Sequence, residues 1–171
     1  YPEVNDDSID HAVKLINQAK KPLIVWGQGV ILGNAEEEFK NFVEKSGIPA
    51  AWTILGLSAL PTSHELNVGM VGMHGNYGPN ILTNKCDLLI AVGMRFDDRV
   101  TGDPSSYASQ AKVIHLEIDP AEVDKNIKVD VSPFIENFML RNFHRKKIYI
   151  IRKYVEILFQ WLCIFYIKGF K

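Results

Sequence analysis

The sequence predicts a doubly wound, Rossmann-like α/β domain: a parallel sheet with helices on both faces. Three observations point there. Leu23-Ile24-Val25-Trp26 is a short unbroken run of β-favouring apolar residues, and Asp87 to Gly93 and Lys112 to Ile118 read as further buried strands. Amphipathic helical stretches and loops separate them by a few tens of residues, a spacing that calls for crossover connections. Glycine closes the first two runs, at Gly27 and Gly93.

Each element has a local reason. Asp7-Ser8 offers an N-cap, and Ile9, Ala12, Val13, Ile16 and Ala19 fall at helical spacing, so a helix is expected over 8–19, ended by Lys20-Lys21-Pro22. Leu23 to Trp26 then reads as a strand buried on both faces. Asn34 is expected to cap a second helix with Phe39, Phe42 and Val43 on one face and Gly47 as its stop. Ile48 to Thr53 reads as a second strand, and Gly56 to Gly75 as a long loop rich in Gly, Pro, Ser and His. Asn76 is expected to cap a short helix carrying Ile81 and Leu82. Asp87 to Gly93 is the clearest buried strand, Lys112 to Ile118 is another, Asp119-Pro120 opens a short helix, and Ile127 to Val131 offers a last strand. In this fold class ligands bind outside the carboxyl ends of the strands, here Gly27, Thr53, Gly93 and Glu117.

At 171 residues one domain is expected, with the apolar fraction of 47% typical of a globular protein. From Ser132 onward stand eight basic and two acidic residues, which leaves 11 of the 19 basic and 18 of the 20 acidic residues before it, a net charge of −7. An acidic body lacks the clustered Lys and Arg that phosphate backbones require, so nucleic acid is not an expected partner. Cys86 and Cys163 lie far apart without a CxxC pattern, which suggests neither a disulfide framework nor zinc and fits a reducing cytoplasm. The polar start without Met reads as a boundary within a longer protein.

Three stretches carry chemistry. Gly27-Gln28-Gly29 with Gly33 follows a strand and precedes a helix, the setting of a phosphate-binding turn, although a tight turn alone explains it equally. Ala50-Ala51-Trp52-Thr53 has no acid to hold a ribose, which disfavours a nicotinamide dehydrogenase. Met70-Val71-Gly72-Met73-His74-Gly75 sets small residues and thioethers at the ligand edge, suited to backbone and apolar contact with a flat ring. His74 has no second ligand at metal spacing, so no metal site is assigned. Arg95-Phe96-Asp97-Asp98-Arg99-Val100-Thr101-Gly102 offers two guanidinium groups for phosphate or carboxylate; a solvated, salt-bridged loop is the competing account.

With these motifs in view, the chain resembles the central domain of the catalytic large subunit of acetolactate synthase (acetohydroxyacid synthase). The likeness runs from about Ala19 to Val131. It rests on Lys21-Pro22-Leu23-Ile24, Thr53-Ile54-Leu55-Gly56-Leu57, Gly72-Met73-His74-Gly75 and, most specifically, Arg95 to Gly102. The resemblance implies a thiamine-enzyme central domain of the DHS-like NAD/FAD-binding type. The family condenses two pyruvates, or pyruvate with 2-oxobutyrate, with decarboxylation, in branched-chain amino-acid biosynthesis. It uses thiamine diphosphate with a divalent metal (magnesium), and an FAD without net redox role.

By resemblance the flavin nucleotide is contacted by Gly27, Gln28, Gly29, Thr53, Ile54, Leu55, Gly72, Met73, His74, Gly75, Gly93, Arg95, Asp97, Val100, Glu117 and Ile118, with Met70 near the ring. The resemblance also implies that Arg99 is the substrate-binding arginine, which in the family pairs with the carboxylate of the second 2-oxo acid. No catalytic residue is assigned. The sequence has no GDG with a downstream Asn for metal and diphosphate, so the chain by itself is expected to be inactive. Its implied partners are the N- and C-terminal thiamine-binding domains, a second full-length subunit in a homodimer, and a regulatory small subunit. The competing readings are a non-catalytic module of the same fold holding ADP or a flavin, and the central domain of another thiamine-diphosphate decarboxylase.

Residues 1–131 are thus expected to form the central FAD-binding domain, and 132–171 a tail foreign to the family. Ten of the chain's 18 aromatic residues fall in these last 40, a composition matching a frameshifted or vector-derived segment. An amphipathic helix over 148–167, lying on a membrane or binding a partner, is the alternative; Arg152, Lys153, Glu156 and Gln160 bar it from spanning a bilayer.

Overall fold

The computed structural model describes residues 6–133. Five strands form one all-parallel sheet: β1 (Pro22–Trp26), β2 (Ala50–Trp52), β3 (Asn67–Met70), β4 (Leu88–Val92) and β5 (Lys112–Leu116), in the order β3-β2-β1-β4-β5. The chain winds outward from β1 in one direction, then restarts at β4 on β1's other side. The direction of winding therefore reverses between β1 and β4, the place where doubly wound sheets bind ligands. The expected fold class is the observed one.

Alternation along the strands divides the core. Ile24 and Trp26 of β1 join Ala50, Leu88, Ile90, Val92, Ile114 and Leu116 on one face. Helix α1 (Asp6–Gln18) covers that face with Ile9, Ala12, Leu15 and Ile16, and α3 (Glu36–Ser46) with Phe39, Phe42 and Val43. Leu23, Val25, Ala51, Leu89, Ala91 and Val113 face the other way, against Val71, Met94, Phe96 and Tyr107, with Leu82 of α4 (Tyr77–Thr83) packed alongside. Phe39 is fully buried with its ring 5.1 Å from that of Trp26, so truncating it to Ala should cost about 3–5 kcal/mol. At the amino ends of the strands, opposite the site, the Asp87 carboxylate accepts from the amides of Lys20 and Lys21 at 2.7 and 2.8 Å, tying the start of β1 to β4.

Several expectations are corrected. The second long helix begins at Glu36 with Ala35 at its N-cap, whereas Asn34 sits at φ 46° and closes the preceding turn by donating to Ile31 O. Three glutamates, Glu36 to Glu38, occupy the first turn of α3, where the helix dipole favours negative charge. Asn76 does precede α4, but its side chain accepts from Met70 N at 3.0 Å and leaves the helix amides uncapped. The long loop over 56–75 contains the edge strand β3. Ile127 to Val131 yields a single bridge, Val131 with Ile114, because Asp130 and Val131 both donate to the one carbonyl of Val113. The short helix after Asp119 is present as a 3-10 turn at Pro120–Glu122, with Asp119 accepting from Ala121 N at 2.9 Å. The expectation for the tail lies, from residue 134 on, outside the described residues.

Candidate functional site

The carboxyl ends of β1, β4 and β5 open into a cleft of about 260 Å³ lined by Gly29, Val30, Leu32, Gly33, Ala35, Val92, Gly93, Leu116, Glu117 and Ile118. Its floor is made by two turns pressed together. Gly27 N donates to Val92 O at 3.0 Å and Gly29 N to Gly93 O at 2.8 Å. These two glycine amides are spent on β4, so the glycines serve close backbone approach rather than presenting both amides to a phosphate. A four-residue helix, α2 (Gly29–Leu32), leaves this turn and puts Leu32 on the rim, 69% exposed.

Glu117 is the one charged residue lining the cleft. It is buried, and its Oε1 accepts from Ile118 N at 2.9 Å and more weakly from Asp119 N at 3.3 Å, which fixes the carboxylate at the end of β5. Beneath it His115 is wholly buried, with Nε2 2.8 Å from Met94 O and 3.9 Å from a Glu117 oxygen. Burial depresses the His115 pKa, outweighing its hydrogen bond to Met94 and the nearby carboxylates. The neutral imidazole therefore carries its proton on Nε2 and donates it to Met94, leaving Nδ1 without a partner.

The Arg95 to Gly102 stretch separates into anchors and exposed charges. Phe96 is buried, its ring 4.8 Å from His115 and 6.0 Å edge-on to Tyr107, and its carbonyl accepts from Asn126 Nδ2. Asp97 caps α5 (Asp98–Thr101): Oδ1 accepts from Arg99 N at 3.1 Å, while Oδ2 receives Arg95 Nε at 3.2 Å. Arg99 extends into solvent, 72% exposed and 3.8 Å from the still more exposed Asp98, a pair that contributes little to stability and leaves the guanidinium able to receive an anion. Val100 is half-buried against the core cluster that holds Val71 and Phe96.

The glycine-methionine-histidine loop meets this stretch directly. Met73 N donates to Arg99 O at 2.8 Å, and Gly72, at φ 101°, has no room for a Cβ because Arg99 O would lie 2.6 Å from it. His74 and Met73 are exposed. On the neighbouring turn Thr53 N donates to Trp26 O at 2.9 Å, and Trp26 Nε1 donates to Gly56 O at 2.8 Å, which presses the turn after β2 onto the end of β1. Gln28 stands exposed between its two glycines.

Of the residues expected from the sequence, Gly29, Gly93, Glu117 and Ile118 meet in the cleft, and Met73 meets Arg99. The sequence reading did not single out Val30, Leu32, Ala35, Val92 and Leu116 as cleft residues. An apolar side chain in the first turn after a strand, as at Leu32, was the available signal. Among the described residues the large apolar side chains left exposed are Leu32, Ile54, Leu55, Leu57, Met73, Tyr77 and Ile118, all in segments that follow strands. Such a concentration at one rim marks a ligand or interaction surface.

Residues 9–136 match the family described as the thiamine pyrophosphate enzyme, central domain. The chain is 51% identical over 123 residues to the acetolactate synthase large subunit of Corynebacterium glutamicum, covering 72% of this chain and 20% of that protein. It is 45% identical over 128 residues to acetolactate synthase 2, chloroplastic, of Nicotiana tabacum, covering 75% and 19%. With a probable acetolactate synthase large subunit of Methanococcus aeolicus the identity is 44% over 147 residues, 85% of this chain and 24% of that protein. That alignment extends into the segment after Val131 that the sequence reading sets apart. The chain spans about a fifth to a quarter of the length of these relatives. With the 3-2-1-4-5 sheet, this match over most of its length shows that the chain belongs to the family of thiamine pyrophosphate enzyme central domains.

Proposed function

We propose that this domain holds the FAD of an acetolactate synthase large subunit, which condenses two pyruvates, or pyruvate with 2-oxobutyrate, with loss of carbon dioxide. The observation that carries the proposal is the cleft at the winding reversal, apolar on its walls and with the fixed Glu117 carboxylate as its one charge. That arrangement fits a nucleoside: a carboxylate accepts from ribose hydroxyls, and Leu32 and Ile118 offer apolar cover to a base. Arg95 provides a cation beside the cleft for a pyrophosphate, and its tie to Asp97 limits its swing. The loop Met70 to Gly75 and the turn Thr53 to Leu55 extend the surface with backbone and apolar contacts for a flat ring. Arg99 receives the carboxylate of the second 2-oxo acid.

Thiamine diphosphate with Mg2+, held by the remainder of a full-length subunit, supplies the decarboxylating and carbon-joining chemistry, and FAD adds no net redox change. The chain's residues, in this reading, orient and shield. In this reading the working enzyme is a cytoplasmic homodimer with a regulatory small subunit. Among the described residues no helix is long and apolar enough to cross a membrane.

Titrating the purified chain with FAD, and following flavin fluorescence, tests the reading. Quenching that ADP reverses and FMN does not is the expected result, since the cleft is matched to the adenosine end. Binding of ADP with no uptake of FAD would favour the non-catalytic nucleotide module instead. Failure to bind either would remove the assignment of the cleft.

A further inference from the structure

We infer that Asn80 is the positioning residue that sets the Met70 to Gly75 loop against Arg99; the inference rests on the reading of that loop as a cofactor contact. Asn80 lies in α4, away from the cleft and outside every motif that points to chemistry. Its side-chain amide is joined to the Gly72 peptide group on both sides: Oδ1 accepts from Gly72 N at 2.9 Å and Nδ2 donates to Gly72 O at 3.0 Å. A primary amide paired in this way reproduces a strand neighbour, in the place where β3 has ended and no strand is available.

The pairing has a geometric consequence. Gly72 occupies φ 101°, a left-handed conformation that the loop needs in order to turn under Arg99. With both polar atoms of Gly72 held, the next residue is delivered to Arg99, where Met73 N donates to Arg99 O at 2.8 Å. Asn76 supports the same loop one turn earlier, its Oδ1 accepting from Met70 N at 3.0 Å while its backbone N–H donates to Met70 O at 2.8 Å. Helix α4 therefore acts as a rack for the loop, and through Met73 it also fixes the backbone of the residue assigned to substrate.

The donor and acceptor roles make the inference testable by an isosteric change. In Asn80→Asp the carboxylate still accepts from Gly72 N, but its second oxygen opposes Gly72 O. Protonation restores a donor there, so the variant should recover as pH falls through the carboxyl range, about 4 in model peptides. A side chain that merely filled space would show no such recovery.

The experiment measures amide-exchange protection factors and FAD binding on the full 171-residue chain, its Asn80→Ala form and its Asn80→Asp form, with the unsubstituted chain as control at each pH. Asn80→Ala should lower protection at Gly72 and Met73 by about tenfold or more, the scale of one lost hydrogen bond, with β4 unchanged, and should weaken FAD binding by about the same factor. At pH 7 Asn80→Asp should fall between Asn80→Ala and the unsubstituted chain, since it keeps the bond from Gly72 N but opposes Gly72 O, and near pH 4 it should approach the unsubstituted chain. Loop protection that falls without weakening FAD binding overturns the positioning role. Protection in Asn80→Asp that tracks the unsubstituted chain at every pH overturns the paired-amide geometry, even if Asn80→Ala fails to fold. If the unsubstituted chain takes up no FAD, the flavin reading fails separately; the exchange arm then decides the Asn80 geometry alone.

Discussion

Gly29 and Gly93 stand back to back across the point where the sheet reverses its winding: the Gly29 amide donates to the Gly93 carbonyl at 2.8 Å, and a Cβ on Gly29 would meet the Gly93 Cα at 2.6 Å. A Cβ on Gly93 would meet the Gly29 Cα at 2.8 Å, with φ at 57° besides. Gly29→Ala should therefore destabilise by about 1–3 kcal/mol through overpacking. Gly93→Ala should lose a further 1–2 kcal/mol, roughly, from the left-handed backbone. Urea unfolding reads both as a lowered midpoint with unchanged slope. A Gly93→Ala chain as stable as its parent would mean the two turns are not in contact.

Arg99 illustrates the opposite case, a residue with a proposed role and little structural weight. Its side chain is 72% exposed and its nearest carboxylate, on Asp98, is 83% exposed, so Arg99→Ala should shift stability by no more than about 0.5 kcal/mol. FAD binding by the chain should be unchanged. In the full-length subunit the same substitution should weaken the preference between the two second substrates, read from the product ratio. Loss of flavin instead would move Arg99 from the substrate to the cofactor.

Asp97 does two jobs within its own loop, capping α5 and holding Arg95. Asp97→Ala should cost about 1 kcal/mol, as loss of an N-cap does. Asp97→Asn should restore the cap but not the charge, keeping stability while loosening Arg95. Equal losses from both variants in thermal melts would contradict this division of labour.

The sequence revealed β1, β4 and β5 because each is dominated by β-favouring apolar residues buried on both faces, with only His115 interrupting β5 after its exposed Lys112. It concealed β3, in which Asn67, Gly69 and a register shift opposite Ala50 and Ala51 interrupt any pattern, and every residue is only half-buried. Helix α5 was legible in principle, with Asp97 at its start and Gly102 at its end, but four residues are too few for periodicity to register. The anchors Phe96 and Met94 were hidden by the charges beside them. Asn80 could not be found from sequence, because its pairing with Gly72 is a contact between a helix and a loop that only the tertiary fold brings together.

Cys86 is 4% exposed, and its Sγ lies 3.1 Å from Thr83 O. Burial, reinforced by the charge of Asp87, pushes the thiol up to about 12, so almost none is thiolate near neutral pH. In a Cys163→Ser background, a thiol-specific reagent at pH 8 should leave the native chain unlabelled and titrate one thiol once it is unfolded. Rapid labelling of the native chain would show that this side of the sheet opens far more readily than its packing implies.

His115 should make stability depend on pH, and the sign follows from its burial. Desolvation lowers its folded-state pKa below the ordinary 6.5, so between those two values the unfolded chain binds a proton that the folded chain does not. Stability therefore rises with pH across that window, by up to about 1.4 kcal/mol per pH unit, is fully present above 6.5 and is lost as pH falls below it. His115→Gln can still donate to Met94 O but cannot titrate, so its urea midpoints should be flatter between pH 5 and pH 7, about the histidine range. The substitution should also disturb the ring contact with Phe96, 4.8 Å away, and so lower stability at pH 7. The two effects separate because only the first depends on pH: a parallel downward shift at every pH would show that the buried imidazole packs without carrying the acid sensitivity.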